Sequence, residues 1–261
     1  MKLLEAQNLY IKYGDTEVIR DVSFSVEEGQ WLMIVGPNGA GKSTILNAIA
    51  RGIPYSGTIF YKENDIAKMR ANELARRIGM LAQNHSVGYD FTVREIVNLG
   101  RYAYSKGLLK GCMVEDTDFV EAALNAAGLK SMEHKSVLEL SGGEVQRTFL
   151  AQLFAQNPEI MILDEPANHL DLIYQKQIFE LIGNWLQTPG RAVISVVHDL
   201  SLAKAYGTHC MLIRQGQTAA QGKIEDVLLP EALNQAYGMD VFEWMKKMLE
   251  QWELKEEKNK S

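Results

Sequence analysis

The stretch WLMIVGPNGAGKST, Trp31 to Thr44, decides the fold. Its first five residues form a continuous apolar run, suited to a strand buried on both faces. Gly-Pro-Asn-Gly stops that run, and GPNGAGKST then fits the pattern G-x-x-x-x-G-K-[ST] between a strand and a helix. In such a loop Gly39 and Gly41 let backbone N–H groups face phosphate oxygens, with Asn38 and Thr44 alongside. Lys42 supplies a cation to the β- and γ-phosphates, and Ser43 offers a hydroxyl to Mg²⁺. A nucleoside triphosphate is the ligand this chemistry implies.

Outward from the loop, LLEAQNLYIKY and EVIRDVSFSV alternate apolar and polar residues around Gly14-Asp15, which predicts two antiparallel strands. Ser43 to Ala50 has helical spacing, and Gly57 to Tyr61 and Ile78 to Ala82 read as further strands. Between those two strands, DIAKMRANELARRIG reads as a helix with a solvated basic face. From Thr92 to Asn157 the pattern is helical throughout, in TVREIVNLGRY, VEDTDFVEAALNAAGL and GGEVQRTFLAQLFAQ. Strands resume in EIMIL, AVISVV and CMLIR, alternating with helices, the signature of a mostly parallel sheet. The expected fold is α/β: a P-loop NTPase (RecA-like) core, an antiparallel β subdomain and an α-helical subdomain inserted at about 84–157. One domain over 1–240 is followed by an extension, 241–261. There Val241, Phe242, Met245, Met248, Leu249 and Trp252 recur at helical spacing ahead of a charged tail. That pattern suits a helix packed on its own domain, or a dimer-contact or regulatory helix.

Composition narrows the partners. A formal net charge of -6 disfavours a broad nucleic-acid surface, which needs surplus Lys and Arg. Cys112 and Cys210 have no zinc spacing and read as free thiols of a reducing compartment. The start, MKLLEAQNLYIKYGD, lacks the apolar core of a secretory leader, and no run approaches the ~18 to 20 apolar residues of a membrane span. The expectation is a cytosolic chain that reaches a membrane only through a partner. No internal repeat is visible, so one nucleotide-binding unit is expected.

Other strand ends supply the remaining chemistry. EIMILDEP delivers Asp164 and Glu165 where an α/β sheet binds ligand. Asp164 suits Mg²⁺ held through a water, and Glu165 suits the base that polarises an attacking water. His198 follows AVISVV and faces the γ-phosphate side. Gln83 ends IGMLAQ within reach of Mg²⁺ or that water, although a surface Gln is the common case. Tyr13 is either a ring stacked on adenine or an ordinary strand tyrosine. His85, His134, His169 and His209 show no metal spacing and read as surface or packing residues. LSGGEVQR, Leu140 to Arg147, is a second anion-binding helix start, with Ser141, Gly142 and Gly143 at its head.

Taken in order, Tyr13, GPNGAGKST, Gln83, LSGGEVQR, ILDEP, Asp171 in ANHLD and His198 resemble the ATP-binding subunit of ABC transporters, over about residues 2 to 238. The resemblance implies ATP and Mg²⁺ as cofactors and a head-to-tail pair, each ATP held by one copy's phosphate loop and the other's Ser-Gly-Gly. It implies that Tyr13 stacks on adenine, Gln83 links the site to the membrane partner, Asp171 contacts the opposite copy, Glu165 is the catalytic base and His198 positions the γ-phosphate. NDIAKMRANELARRIGMLAQ, FTVREIVNLGRY and LDEPANHLDL are similar to the ATPases of importers for iron chelates, haem and vitamin B12. That implies integral-membrane permease subunits as partners, an extracytoplasmic solute-binding protein acting indirectly, and a place on the cytoplasmic face of the membrane. A different importer class, or a non-transport ABC ATPase such as a cluster-assembly factor, is the alternative. Two departures stand out: Glu144-Val145 where many relatives have Gln and a basic residue, and the helical extension at the end.

Overall fold

Strands β1 (Lys2–Tyr13) and β2 (Thr16–Glu27) form an antiparallel hairpin around Gly14-Asp15, and β3 (Trp31–Val35) follows with every residue buried. Helix α1 (Lys42–Ile49) leaves the phosphate loop, after which β4 (Ser56–Tyr61) and β5 (Asn64–Asp65) complete a four-stranded antiparallel sheet of order β2-β1-β4-β5. Helix α2 (Ala71–Arg77) leads into β6 (Ile78–Leu81). Helices α3 (Val93–Leu99), α4 (Val114–Ala126) and α5 (Gly142–Gln156) come next. Then β7 (Ile160–Asp164), α6 (Leu172–Leu186), β8 (Ala192–Val196), α7 (Leu200–Tyr206) and β9 (His209–Arg214) alternate. Strand β10 (Gln217–Lys223) and helices α8 (Ile224–Val227), α9 (Pro230–Tyr237) and α10 (Val241–Glu250) follow. These elements come from a computed structural model that describes residues 1–83, 88, 90–104 and 114–252; His85, Cys112 and the tail 253–261 lie outside the described residues.

The second sheet runs β10-β9-β3-β8-β7-β6, parallel from β9 to β6, with β10 antiparallel at one edge. Both faces of its central strands are covered, and successive side chains divide between them with a period of two. Leu32 and Ile34 of β3 join the core shared with the antiparallel sheet and α1, whereas Trp31, Met33 and Val35 join the core under α6, α7 and α9. Trp31 stacks on Phe179 with ring centroids 5.6 Å apart. Its indole Nε1 donates to Ser195 Oγ at 2.8 Å, so this buried donor is satisfied.

A third core belongs to the helical insert. Val93, Ile96 and Val97 of α3 meet Val120 and Leu124 of α4 and the small residues Ala151 and Ala155 of α5. Phe149 and Phe154 touch both this core and the one beneath α6. Helices α3 and α5 start with capping boxes, Thr92 with Glu95 and Ser141 with Glu144.

Three features depart from the sequence reading. DIAKMRANELARRIG is not one helix: Asp65 ends β5, Ile66–Lys68 makes a single 3-10 turn, and extended backbone at Met69 and Arg70 separates it from α2. Strand β10 is not anticipated by it, because QTAAQGK is poor in β-branched and aromatic residues and forms only as the edge partner of β9. Helix α10 forms over the expected apolar repeat, but its packing on its own domain is limited to the start: Val241 is buried and Met245 partly so. Phe242, Trp244, Met248, Leu249 and Trp252 remain exposed. Cys210 is a buried free cysteine, and burial pushes its thiol up to about 12.

Candidate active site

Backbone geometry forces the turn between β3 and α1. Gly36 has φ 145°, and a Cβ there would lie 2.1 Å from the Ile213 carbonyl oxygen of β9. Gly41 has φ 98°, and its Cβ would meet Ile19 Cδ1 of β2 at 2.5 Å. The loop therefore threads between two strands where only glycine fits. Lys42 opens α1 almost fully buried, and its Nζ donates to the carbonyls of Gly36 (2.8 Å) and Pro37 (3.0 Å). Burial lowers its pKa, while the charges of Glu165 and Asp164 oppose that shift.

Strand β7 brings Asp164 to the same edge of the sheet, where Ser43 Oγ donates to its Oδ1 at 2.9 Å. Burial raises the Asp164 carboxyl above its ordinary range, the Ser43 hydrogen bond opposes this, and Glu165 adds to the rise. Hydroxyl and carboxylate oxygens side by side are hard donors that fit Mg²⁺. Among the described residues no group of three or more His, Cys, Asp and Glu suits a metal.

Glu165 stands one residue further on. Its N–H still donates to the Val196 carbonyl of β8 at 3.1 Å, but its φ of 53° then turns the chain out of the ladder. A left-handed backbone costs a non-glycine residue about 1–2 kcal/mol. Three donors converge on its carboxylate: Gln83 Nε2 at 2.9 Å and Asn168 Nδ2 at 2.6 Å on Oε2, and His198 Nε2 at 2.5 Å from Oε1. Gln83 extends from the end of β6 and His198 from the end of β8, so neighbouring strands supply them.

Asn168 is the residue that sequence reasoning missed. Its N–H also donates to the Glu165 carbonyl at 3.1 Å, a tight turn in which Asn is a common occupant. Together these groups line a cavity of about 630 Å³: Asn38, Gly39, Gly41, Lys42, Ser43, Thr44, Gln83, Glu165 and His198, joined by Val18, Asn168 and His169. His169 is exposed, as expected of a surface residue, and it also stands on the cavity wall.

Other expected residues lie elsewhere. Ser141, Gly142 and Gly143 do not line the cavity. Ser141 is engaged by its own helix, its N–H and Oγ each 2.8 Å from Glu144 Oε2, and these hydrogen bonds hold the Glu144 carboxyl below its usual range. Asp171 caps α6 by accepting the Tyr174 N–H at 3.0 Å, outside the cavity lining. Tyr13, at the end of β1, is half exposed and also outside that lining. Among the described residues, the cavity at the phosphate loop and the capped Ser-Gly-Gly helix start are thus separate features.

Comparison with known proteins bears on this arrangement. Residues 19–168 match the family described as ABC transporter. The uncharacterized ABC transporter ATP-binding protein YvrA of Bacillus subtilis is 36% identical over 239 residues, 91% of this chain, and the chain spans only 54% of YvrA's length. The ferric enterobactin transport ATP-binding protein FepC of Escherichia coli is 35% identical, with 90% of this chain and 87% of FepC covered. The hemin import ATP-binding protein HmuV of Pseudomonas entomophila is 36% identical, with 92% and 94% covered. Among solved structures, the ADP conformation of MJ1267, an ATP-binding cassette of an ABC transporter, superposes with a TM-score of 0.80 at 24% identity, covering 91% of this chain and 98% of that one. At that identity the likeness shows the fold.

The loop geometry predicts unequal effects of adding one methyl group. Gly36→Ala, with φ 145° and a 2.1 Å clash against backbone, is expected to lose about 2–5 kcal/mol of stability from overpacking and strain. Gly39→Ala, with φ 76° and open space around it, is expected to lose only about 1 kcal/mol. Urea-unfolding midpoints check the order; equal losses contradict the threaded loop.

Proposed function

The chain belongs to the ABC transporter family, and we propose that it is the ATP-hydrolysing subunit of an importer. In this reading two copies close head to tail around ATP and Mg²⁺, and closure drives uptake of a metal chelate (an iron–siderophore, haem or cobalamin) through integral-membrane permease subunits. The observation that carries it is the division of the site. The phosphate loop, Asp164, Glu165 and His198 share one edge of the sheet, whereas Ser141, Gly142 and Gly143 start a helix outside the cavity there. A second copy brings its own Ser-Gly-Gly to that cavity and receives this one in return, a closed two-fold arrangement.

Each residue then has a task. Backbone N–H groups at Asn38 to Thr44 take the phosphates, and phosphate oxygens replace the Gly36 and Pro37 carbonyls at Lys42. Ser43, Asp164 and Gln83 would hold Mg²⁺, which would supply charge neutralisation to the transferred phosphate. Glu165 takes a proton from the water whose oxygen attacks the γ-phosphorus, and the bond to ADP breaks to release phosphate. His198 positions the γ-phosphate, and the N–H groups at Ser141 to Gly143 of the other copy bind its far side. Tyr13, half exposed, stacks on adenine. Asp171 meets the opposite copy, and the exposed Leu172 and Ile173 beside it give that contact an apolar surface.

The importer reading is supported by the transport and import roles named for FepC and HmuV. Among the described residues no helix is long and apolar enough to cross a membrane. The chain is peripheral in this account, held on the cytoplasmic face through the permease, with a solute-binding protein serving the permease from the other side. Nucleic acid has no part in it.

Glu165→Gln is expected to slow ATP hydrolysis by about 10²- to 10⁴-fold with ATP binding retained. Hydrolysis at the parent rate removes Glu165 as the base. A tagged chain is expected to bring down a many-helix membrane protein from detergent extracts, and recovery of soluble partners only contradicts the transport reading.

A further inference from the structure

Helix α5 is tethered to the stretch Glu165–Tyr174 at two places. Gln146, partly buried five residues beyond Ser141, donates from Nε2 to the Pro166 carbonyl at 2.6 Å. Near the start of the helix, Gly143 lies so close to Tyr174 that a Cβ on it would be 2.5 Å from the ring. The Tyr174 N–H is in turn held by Asp171. Glu165 directly precedes the first anchor, and the segment between the two anchors carries Asn168 and His169 on the cavity wall. Its entry is fixed as well, because the Glu165 N–H is bonded to Val196 of β8.

We propose that Gln146 is a positioning residue that couples the two nucleotide sites of a pair. The proposal rests on the shared-site reading, in which Ser141 of one copy seats on the ATP held by the other. Helix α5 then has its first turn on the partner's nucleotide and its second turn on Pro166, the neighbour of Glu165 in its own cavity. The helix is a stiff rod, with Leu150, Leu153 and Ala155 buried behind these turns. When Ser141 is drawn onto a γ-phosphate, the rod moves Gln146, and Gln146 carries that displacement to Pro166. Glu165 cannot follow freely at its N–H, so the change falls on its carboxylate and its 2.6 Å contact with Asn168. Each site thereby reports its occupancy to the base of the other. Coupling of this kind is reciprocal between the sites.

The test is ATP hydrolysis by the full chain as a function of ATP concentration, alone and with two variants. Gln146→Met keeps the length and removes the donor; Gln146→Lys keeps a donor of similar reach. The parent chain is expected to show a Hill coefficient near two. Gln146→Met should bring it near one and lower kcat about 5- to 20-fold, with ATP affinity of the separate subunits unchanged. Gln146→Lys should recover most of both values. A parent Hill coefficient of one, unchanged cooperativity in Gln146→Met, or loss of ATP affinity in that variant overturns the proposal. Failure of the underlying reading looks different: the Glu165→Gln chain then forms no ATP-dependent dimer in sedimentation, even with Gln146 intact.

Discussion

Strands β3, β8 and β7 lie side by side, parallel and buried on both faces, and the rest of the site depends on that constraint. Parallel strands end on the same edge, so the residues just past their carboxyl ends gather there. The phosphate loop leaves β3, Glu165 comes directly after Asp164 at the end of β7, and His198 lies just past β8. Gln83 joins them because β6 is the next strand over. No long-range loop is needed to assemble the carboxylate and its three donors.

Burial sets the electrostatics of that edge. Lys42 and Asp164 are both nearly inaccessible, and desolvation pushes each of them towards its neutral form. The charges of Glu165 and Asp164 counter that tendency at Lys42, and the Ser43 hydrogen bond and the Lys42 charge counter it at Asp164. Glu165 is held differently. Its carboxylate is nearly covered and accepts hydrogen bonds from two side-chain amides while facing the His198 ring. A strained backbone at the same residue fits a functional role better than a structural one.

Much of this was legible in the sequence because the informative signals are local. An apolar run followed by Gly-Pro-Asn-Gly specifies a buried strand and a phosphate turn within nine residues, Trp31 to Gly39. The loop, Asp164, Glu165, Gln83 and His198 could be found because each lies at the end of a recognisable strand. Asn168 and His169 escaped, since a turn of seven residues after a strand gives no clue to which side chains face inward. Edge strand β10 escaped because its pairing with β9, not its composition, makes it a strand. The helix of the C-terminal extension was readable from periodicity, but its degree of burial was not, because packing is a property of the neighbours. Glu144 looked like a departure from the family pattern. The structure gives it a physical task, closing the capping box with Ser141 at the head of α5.

That capped helix start is the half of the chain that finds no nucleotide in its own cavity. In the proposed pair the missing half comes from a second copy. The most direct measurement mixes a Ser141→Arg chain with a Lys42→Ala chain and monitors sedimentation with and without ATP. Each chain alone is expected to stay monomeric, because every site it can form lacks one half. The mixture is expected to form an ATP-dependent dimer with one bound nucleotide per pair, joining the intact phosphate loop of the first chain to the intact Ser141 of the second. A mixture that stays monomeric at saturating ATP, or a Ser141→Arg chain that pairs by itself, contradicts the shared site.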